Sequence, residues 1–414
     1  MNMWFKFVFP VILIIIEIYF FQAVQAIIRD INPIRKFTIQ IVYWSISCLS
    51  LSLSLIAISL PPPEWPPFFK TYLFSILLIL VVSKIFGSIF LLMDDLLRLL
   101  RWGTQFFTHF GHPEERKNIE RYKFLSYISL GLFTIPFASL FYGIVRGAYR
   151  YKIHKVNLSF PNLPEAFDGL KIVQLSDIHT GSFADNSALK KAFEMVLSLK
   201  PDLIFFTGDL VNNSSSETEG FLDIYKMLKA PLGVYSILGN HDYGDYIQWP
   251  SHEEKVQNLE RLKKVHADAG WKLLLNEHAV IEKDKQQFAL LGVENWGGNM
   301  HFKKYGRMDL AHRGTESYDF KILLSHDPSH WGKQVKKNYQ DIDLTFSGHT
   351  HGFQFGIEIP NFKWSPVQYI YPQWSGLYKH ENQYLYVNRG LGFLGYCGRL
   401  GIWPEITCVE LKKA

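Results

Sequence analysis

Apolar positions in this chain come in two regimes. Through the first part they run almost unbroken, and four runs match the roughly 20 apolar residues that cross a bilayer as a helix: residues 8–28, 37–60, 72–93 and 124–145. Pro61, Pro62 and Pro63 close the second run, and Pro66 and Pro67 are expected to keep the following link out of a helix. Pro136 is placed to kink the fourth. From Tyr151 the runs shorten. Ile153, Val156 and Leu158 predict a short strand, and KIVQL, DLIFF and PLGVYSIL predict buried ones. Between and after them, Ser187–Leu199, Phe221–Leu228 and Glu253–Ala269 carry the spacing of amphipathic helices. WKLLLNEHAVIE and QFALLGVENW each read as one further strand, FKILL and IDLTF as two more, and QYLYV and PEITCVEL as closing strands. The alternation predicts an α/β sheet whose strand ends build a site. Two domains are expected: a transmembrane domain of about four helices over 1–150, and an α/β domain over 151–414.

Lys6, the first apolar run and Val24-Gln25-Ala26 also fit a cleavable signal peptide. The length of that run, Glu17 inside it and the three spans behind it favour a retained helix. Glu17 and Lys84 are the charges deepest in the spans and are expected to pair, since an isolated intramembrane charge is costly. Ser45, Ser47, Ser50, Ser52 and Ser54 are expected to pack helices closely and not to do chemistry.

The formal charge of +5 over 414 residues gives no reason to expect a nucleic-acid partner. Its placement says more. Arg29, Arg35 and Lys36 follow the first span, and Arg98, Arg101, Arg116, Lys117, Arg121 and Lys123 the third, while Lys70 alone follows the second. Basic loops stay in the cytoplasm, so both chain ends and the α/β domain are expected on the non-cytoplasmic side. Arg146, Arg150, Lys152 and Lys155 pull the other way. Of the cysteines, Cys48, Cys397 and Cys408, none belongs to a C-x-x-C pattern, which argues against a thiolate zinc site. Whether Cys397 and Cys408 pair is left open by their spacing.

Polar residues gather where the strands end. Asp177 and His179, two apart after KIVQLS, would project to one side of an extended chain, and a carboxylate beside an imidazole is a metal-ligand pair. Asp209, then Asn240-His241-Asp242, His326, and His349-Thr350-His351 follow the later strands. His301 and His312 lie in a loop rich in charge and glycine and are expected to be solvated.

Taken in order, D-x-H, G-D, G-N-H-D, H and G-H-T-H resemble the calcineurin-like metallophosphoesterases, in particular their membrane-attached branch, from Lys171 to the C-terminus. The resemblance implies a four-layer α-β-β-α sandwich and two divalent ions (manganese, iron or zinc) sharing Asp209. Asp177, His179 and His351 would complete one shell; Asn240, His326 and His349 would complete the other. His241 would serve as acid or charge stabiliser near the leaving group, with Asp242 fixing its ring. Two ions roughly 3.5–4 Å apart clamp the oxygens of a phosphoryl transfer and provide a hydroxide nucleophile near neutral pH. The expected activity is therefore membrane-anchored hydrolysis of a phosphodiester or related phosphoester. A lipid substrate is suggested by the rings around the motifs, among them Tyr246, Trp249, Phe353, Phe355, Phe362 and Tyr371. The runners-up are a cytoplasm-facing lipid-nucleotide pyrophosphatase of the UDP-diacylglucosamine type, and a sensor or scaffold that kept the fold without turnover. Phe353 departs from the family, where a second glycine is common after G-H-T-H-G, and is expected to narrow the site mouth.

Overall fold

A computed structural model describes residues 3–59, 67–108, 118–298 and 302–414. The chain divides into two compact units, Met1–Tyr142 and Gly143–Ala414.

The first unit is carried by α1 (Met3–Ile27), α2 (Pro33–Ser59), α3 (Pro67–Thr108) and α4 (Asn118–Val145), whose last turn belongs to the second unit. Each holds a stretch long and apolar enough to cross a membrane. Val11, Ile15, Leu49, Phe74 and Ile135 stay exposed, the reverse of a water-soluble helix and the arrangement that lipid tails solvate. Two expectations are corrected. The third helix runs far past Met93, because Asp94 and Arg98 pair one turn apart at 2.7 Å and sustain the helix beyond the apolar run. Pro67 opens this helix and does not block it, since at the first helical position its missing N–H has no partner to lose. α4 continues through Pro136. Pro61–Pro63, Pro66, and Arg116–Lys117 of the basic stretch after the third span lie outside the described residues. The two deep charges meet: Lys84 Nζ lies 2.5 and 2.6 Å from the Glu17 carboxylate oxygens, both side chains buried. Ser47 and Tyr43 add hydroxyl donors to the same carboxylate.

The second unit opens with β1 (Lys152–Phe160) and β2 (Lys171–Leu175), then α5 (Ser187–Ser198), β3 (Leu203–Phe206), α6 (Leu222–Tyr225), β4 (Val234–Ser236), α7 (His252–Asp268) and β5 (Lys272–Leu273). The chain goes on through β6 (Glu277–Lys283), β7 (Gln286–Gly292), α8 (Met308–His312) and β8 (Lys321–Leu324). A π-turn at Trp331–Val335 runs into α9 (Lys336–Asn338), before β9 (Leu344–Ser347) and a ribbon of β10 (Ile357–Ile359) and β11 (Phe362–Trp364). β12 (Gly376–His380), β13 (Gln383–Val387) and β14 (Glu405–Lys413) finish it.

Two six-stranded sheets result, ordered β1-β14-β2-β3-β4-β5 and β12-β13-β9-β8-β7-β6. β2 to β5 are parallel neighbours, as are β7, β8, β9 and β13. Period-two alternation sorts their side chains into layers. Ile172, Leu203 and Phe205 face Phe288, Ile322 and Phe346 between the sheets. Val173, Ile204 and Phe206 face Phe193, Tyr225 and Leu262 of α5, α6 and α7. Leu291 and Leu323 pack under Met308, Trp331 and Val335. This is a four-layer α-β-β-α sandwich, and strands buried on both faces explain the continuous apolar runs in the sequence.

The segment WKLLLNEHAVIE is not one strand. It breaks at Asn276 (φ +61), so that Lys272–Leu273 joins the first sheet and Glu277–Lys283 the second. The Phe221–Leu228 pattern forms a single α-turn, Leu222–Tyr225. All three cysteines are free, Cys397 and Cys408 buried and Cys48 exposed.

Candidate metal centre

β2 ends at Leu175, and beyond it the backbone stops being extended. Asp177 (φ +53), His179 (+50), Asp209 (+60), His349 (+74) and His351 (+51) all sit in the left-handed region. Non-glycine residues held there cost about 1–3 kcal/mol each and cluster at functional sites, where the surrounding structure over-determines them. The expectation that Asp177 and His179 share one side of a strand is thus corrected: a tight turn at each residue aims the side chain. Glycines let the loops close in. A Cβ on Gly239 would lie 2.2 Å from Asp209 Oδ1, and one on Gly348 would lie 2.3 Å from Asp177 Oδ2.

Asp242 ties the loops after β3 and β4 together. Fully buried, its two oxygens accept from the backbone N–H groups of Asp209, Leu210, Val211 and Gly239 at 2.8–3.3 Å. Burial and the nearby Asp209 charge push its carboxyl up to about 7, against the pull of those donors. The ring of His241 is held elsewhere, by Nδ1 donating to the Asn212 carbonyl at 2.6 Å. Asp242 therefore orders backbone, and the ring-fixing role expected of it falls to Asn212.

The seven expected ligands converge in two groups. In one, His351 Nε2 lies 3.3 Å from Asp177 Oδ1 and 3.0 Å from His179 Nε2. In the other, His326 Nε2 lies 3.1 Å from both Asp209 Oδ2 and Asn240 Oδ1, and His349 Nδ1 lies 2.8 Å from that same Asn240 oxygen. Asp209 Oδ2 is also 3.6 Å from His179 Nε2, so one carboxylate reaches both groups. His312 is not part of this cluster; it pairs with Asp341 at 2.7 Å. His301 lies outside the described residues.

The donor set fits divalent cations. His326 Nδ1 is 2.7 Å from the Thr207 carbonyl, which can only accept, so Nδ1 carries the proton and Nε2 turns a lone pair into the cluster. Lone-pair nitrogens and carboxylates packed this closely in a buried site need positive charge between them. The mixed nitrogen and oxygen set is one that divalent transition metals accept. Burial drives His179 down to about 3, which keeps its ring neutral and a lone pair available.

Residues 170–353 match the calcineurin-like phosphoesterase family, and residues 1–148 match the family described as the transmembrane domain of a probable calcineurin-like phosphoesterase. Over 256 residues, 61% of this chain and 82% of the relative, the chain is 31% identical to the uncharacterized metallophosphoesterase YkuE of Bacillus subtilis. This chain belongs to the calcineurin-like phosphoesterases. It is also 32% identical over 280 residues to a transmembrane protein with metallophosphoesterase domain from Danio rerio, a match spanning 66% of this chain and 60% of that relative's length. A third relative is the UDP-2,3-diacylglucosamine pyrophosphatase LpxG of Chlamydia trachomatis, 30% identical over 279 residues, 56% of this chain and 81% of the relative.

This phosphoesterase has site residues that its motifs do not announce. The Tyr371 hydroxyl lies 2.8 Å from His349 Nε2, and Tyr371 also lines a cavity of about 440 Å³ with Ser329, Lys333 and Ile370. Tyr246 accepts from Asn240 Nδ2 at 2.8 Å and packs its ring on His241. Both tyrosines lie in the ring-rich loops marked in the sequence. Arg399 gave no such signal. It is fully buried, with its guanidinium against the Gly390 and Gly392 carbonyls and 3.3 Å from His351 Nδ1. Burial lowers its pKa to about 9. Phe353 takes φ +58, where a glycine would be relaxed, and leaves its ring exposed.

Proposed function

We propose that the second unit hydrolyses a phosphoester with two divalent ions, and that the substrate is a lipid or another molecule held at the membrane. The supporting observation is the reach of Asp209 Oδ2 into both ligand groups, 3.6 Å from His179 Nε2 and 3.1 Å from His326 Nε2. Asp177, His179 and His351 would hold one ion, Asn240, His326 and His349 the other, and Asp209 both. When bound, such a pair supplies Lewis acidity toward phosphoryl oxygens and makes water nucleophilic near neutral pH.

The chain's own residues do the rest. His241 commits Nδ1–H to the Asn212 carbonyl. Its second proton, in the imidazolium form, therefore sits on Nε2 and is available to a departing alkoxide. Tyr246 steadies both Asn240 and the His241 ring, and Asp242 keeps the two loops in register. A membrane-held substrate is supported by the four spans, by exposed rings such as Tyr246, and by a relative whose name describes a diacylated sugar nucleotide as its substrate. The non-cytoplasmic side is supported by nine basic residues that follow the first and third apolar runs, against four that follow the last.

The deciding experiment reconstitutes the full chain with each metal and assays phosphodiester, phosphomonoester and lipid pyrophosphate panels. Metal-dependent turnover is expected, with lipid esters favoured over water-soluble diesters; equal cleavage of both would remove the lipid assignment. Asp209→Asn should lose both ions and nearly all turnover. Retention of two ions and normal turnover by that variant would sink the shared-ligand assignment.

A further inference from the structure

The ribbon β10–β11 wears its amphipathicity inside out. Pairing of Ile357 with Trp364 and of Ile359 with Phe362 puts these four side chains on one face, and Glu358 and Lys363 on the other. From the charged face, half-buried Glu358 and solvent-exposed Lys363 both reach back to the body of the unit. Glu358 pairs with buried Arg389, which pairs in turn with Glu405, and Lys363 Nζ donates to the Ser375 carbonyl at 2.6 Å. The apolar face is left open, with Ile359 58% and Phe362 53% exposed, and the turn that follows adds Tyr369 at 78% and Ile370 at 61%. A ribbon built for water would have the opposite faces outward.

A second observation says what lies over this face. β10 begins after Gly356, whose N–H donates to the Leu400 carbonyl at 3.0 Å and whose own carbonyl abuts Gly401 so closely that a Cβ there would lie 1.8 Å away. The same short segment receives the end of α4 within the second unit. Arg399 N–H donates to the Gly143 carbonyl at 3.2 Å, a Cβ on Gly147 would lie 2.0 Å from the Arg399 carbonyl, and Arg150 lies over the Trp403 ring at 4.8 Å. The candidate membrane span that α4 carries continues past the helix to Tyr149. Residues 399–403 thus carry the exit of a membrane span on one side and the root of the ribbon on the other.

We propose that the apolar face of the ribbon, with Tyr369 and Ile370, enters the boundary between headgroups and acyl chains of the bilayer that α4 crosses. Trp364 and Tyr369 pair an apolar body with a polar tip, the chemistry that favours this depth, and the isoleucines and Phe362 reach below it. The second unit then touches lipid at two points, its helix and its ribbon. The inference rests on the membrane spans and not on the identity of the phosphoester.

The test attaches the environment-sensitive dye NBD to Ile359→Cys in the full chain carrying Cys48→Ser, since Cys397 and Cys408 are buried. A second labelled protein, Val256→Cys on α7, is the reference, and both are reconstituted into phosphatidylcholine–phosphatidylglycerol liposomes. The dye at 359 should emit at shorter wavelength than at 256, and should be quenched several-fold more by spin-labelled lipid than by aqueous iodide. This pattern should not change with the protein-to-lipid ratio. Iodide quenching at 359 equal to that at 256 would overturn the proposal. So would a blue shift that vanishes on dilution into excess lipid, which would assign the face to a second copy of the chain. Phe362→Cys, on the same face, repeats the measurement if Ile359→Cys labels poorly. No turnover is read, so the outcome is separate from that of the substrate assay.

Discussion

At the scale of single residues, the proposed chemistry separates groups that would hold charge from one that would move a proton. His241 is tied through its backbone N–H to Asp209 Oδ1 at 2.8 Å and through its ring to Asn212. His241→Ala should therefore leave metal content near that of the parent while lowering kcat by roughly 10²–10⁴, the usual worth of a general acid. Metal analysis beside steady-state kinetics checks this, and loss of an ion would move His241 among the ligands. That the seven candidate ligands gather was legible because each follows an apolar strand in a short, stereotyped string. How they are aimed was not legible. Five left-handed residues override the extended geometry that two-residue spacing suggests, and only tertiary packing stabilises them. Arg399 escaped notice for a related reason. It lies far along the chain from His351, and no local pattern marks an arginine that is satisfied by backbone carbonyls.

At the scale of elements, the buried pair of Glu17 and Lys84 makes the first unit sensitive to single changes. Either charge left alone in a low-dielectric site costs more than the pair does, about 3–5 kcal/mol on removal of one partner. Lys84→Met should therefore destabilise the unit strongly. Adding Glu17→Gln, which leaves Ser47 and Tyr43 a neutral partner, should recover most of the loss. Unfolding in detergent micelles reads both, and a double variant as unstable as the single one would mean that the pair does not act as a closed set. The helices and most strands were legible from apolar period. The exceptions share a cause: α3 outlasts its apolar run through charge pairing, and WKLLLNEHAVIE contains a sheet-to-sheet crossing that a continuous pattern conceals. β10 and β11 were missed because their apolar positions face outward, so that no burial pattern distinguishes them from a loop.

At the scale of the whole molecule, the proposed side of the membrane rests on charge, and the assembly of the second unit rests on connectivity. A reporter fused after Ala414 is expected to be active only outside the cytoplasm. Activity confined to the cytoplasm would reverse that placement and favour the lipid-nucleotide pyrophosphatase reading. The α/β class followed from the rhythm of strands and helices and the four layers from the family resemblance, but the return of the last strand followed from neither, because nothing in PEITCVEL names its neighbours. β14 runs parallel to β1, Lys152 beside Glu405, and antiparallel to β2. In its sheet β1 has no other neighbour. A ribosome delivers β1 first and β14 last, so the opening strand waits with its hydrogen-bonding edge bare until nearly the whole unit has been synthesised. Long-range closure of this kind is slow, and an open strand edge in a nascent chain invites pairing with the wrong neighbour.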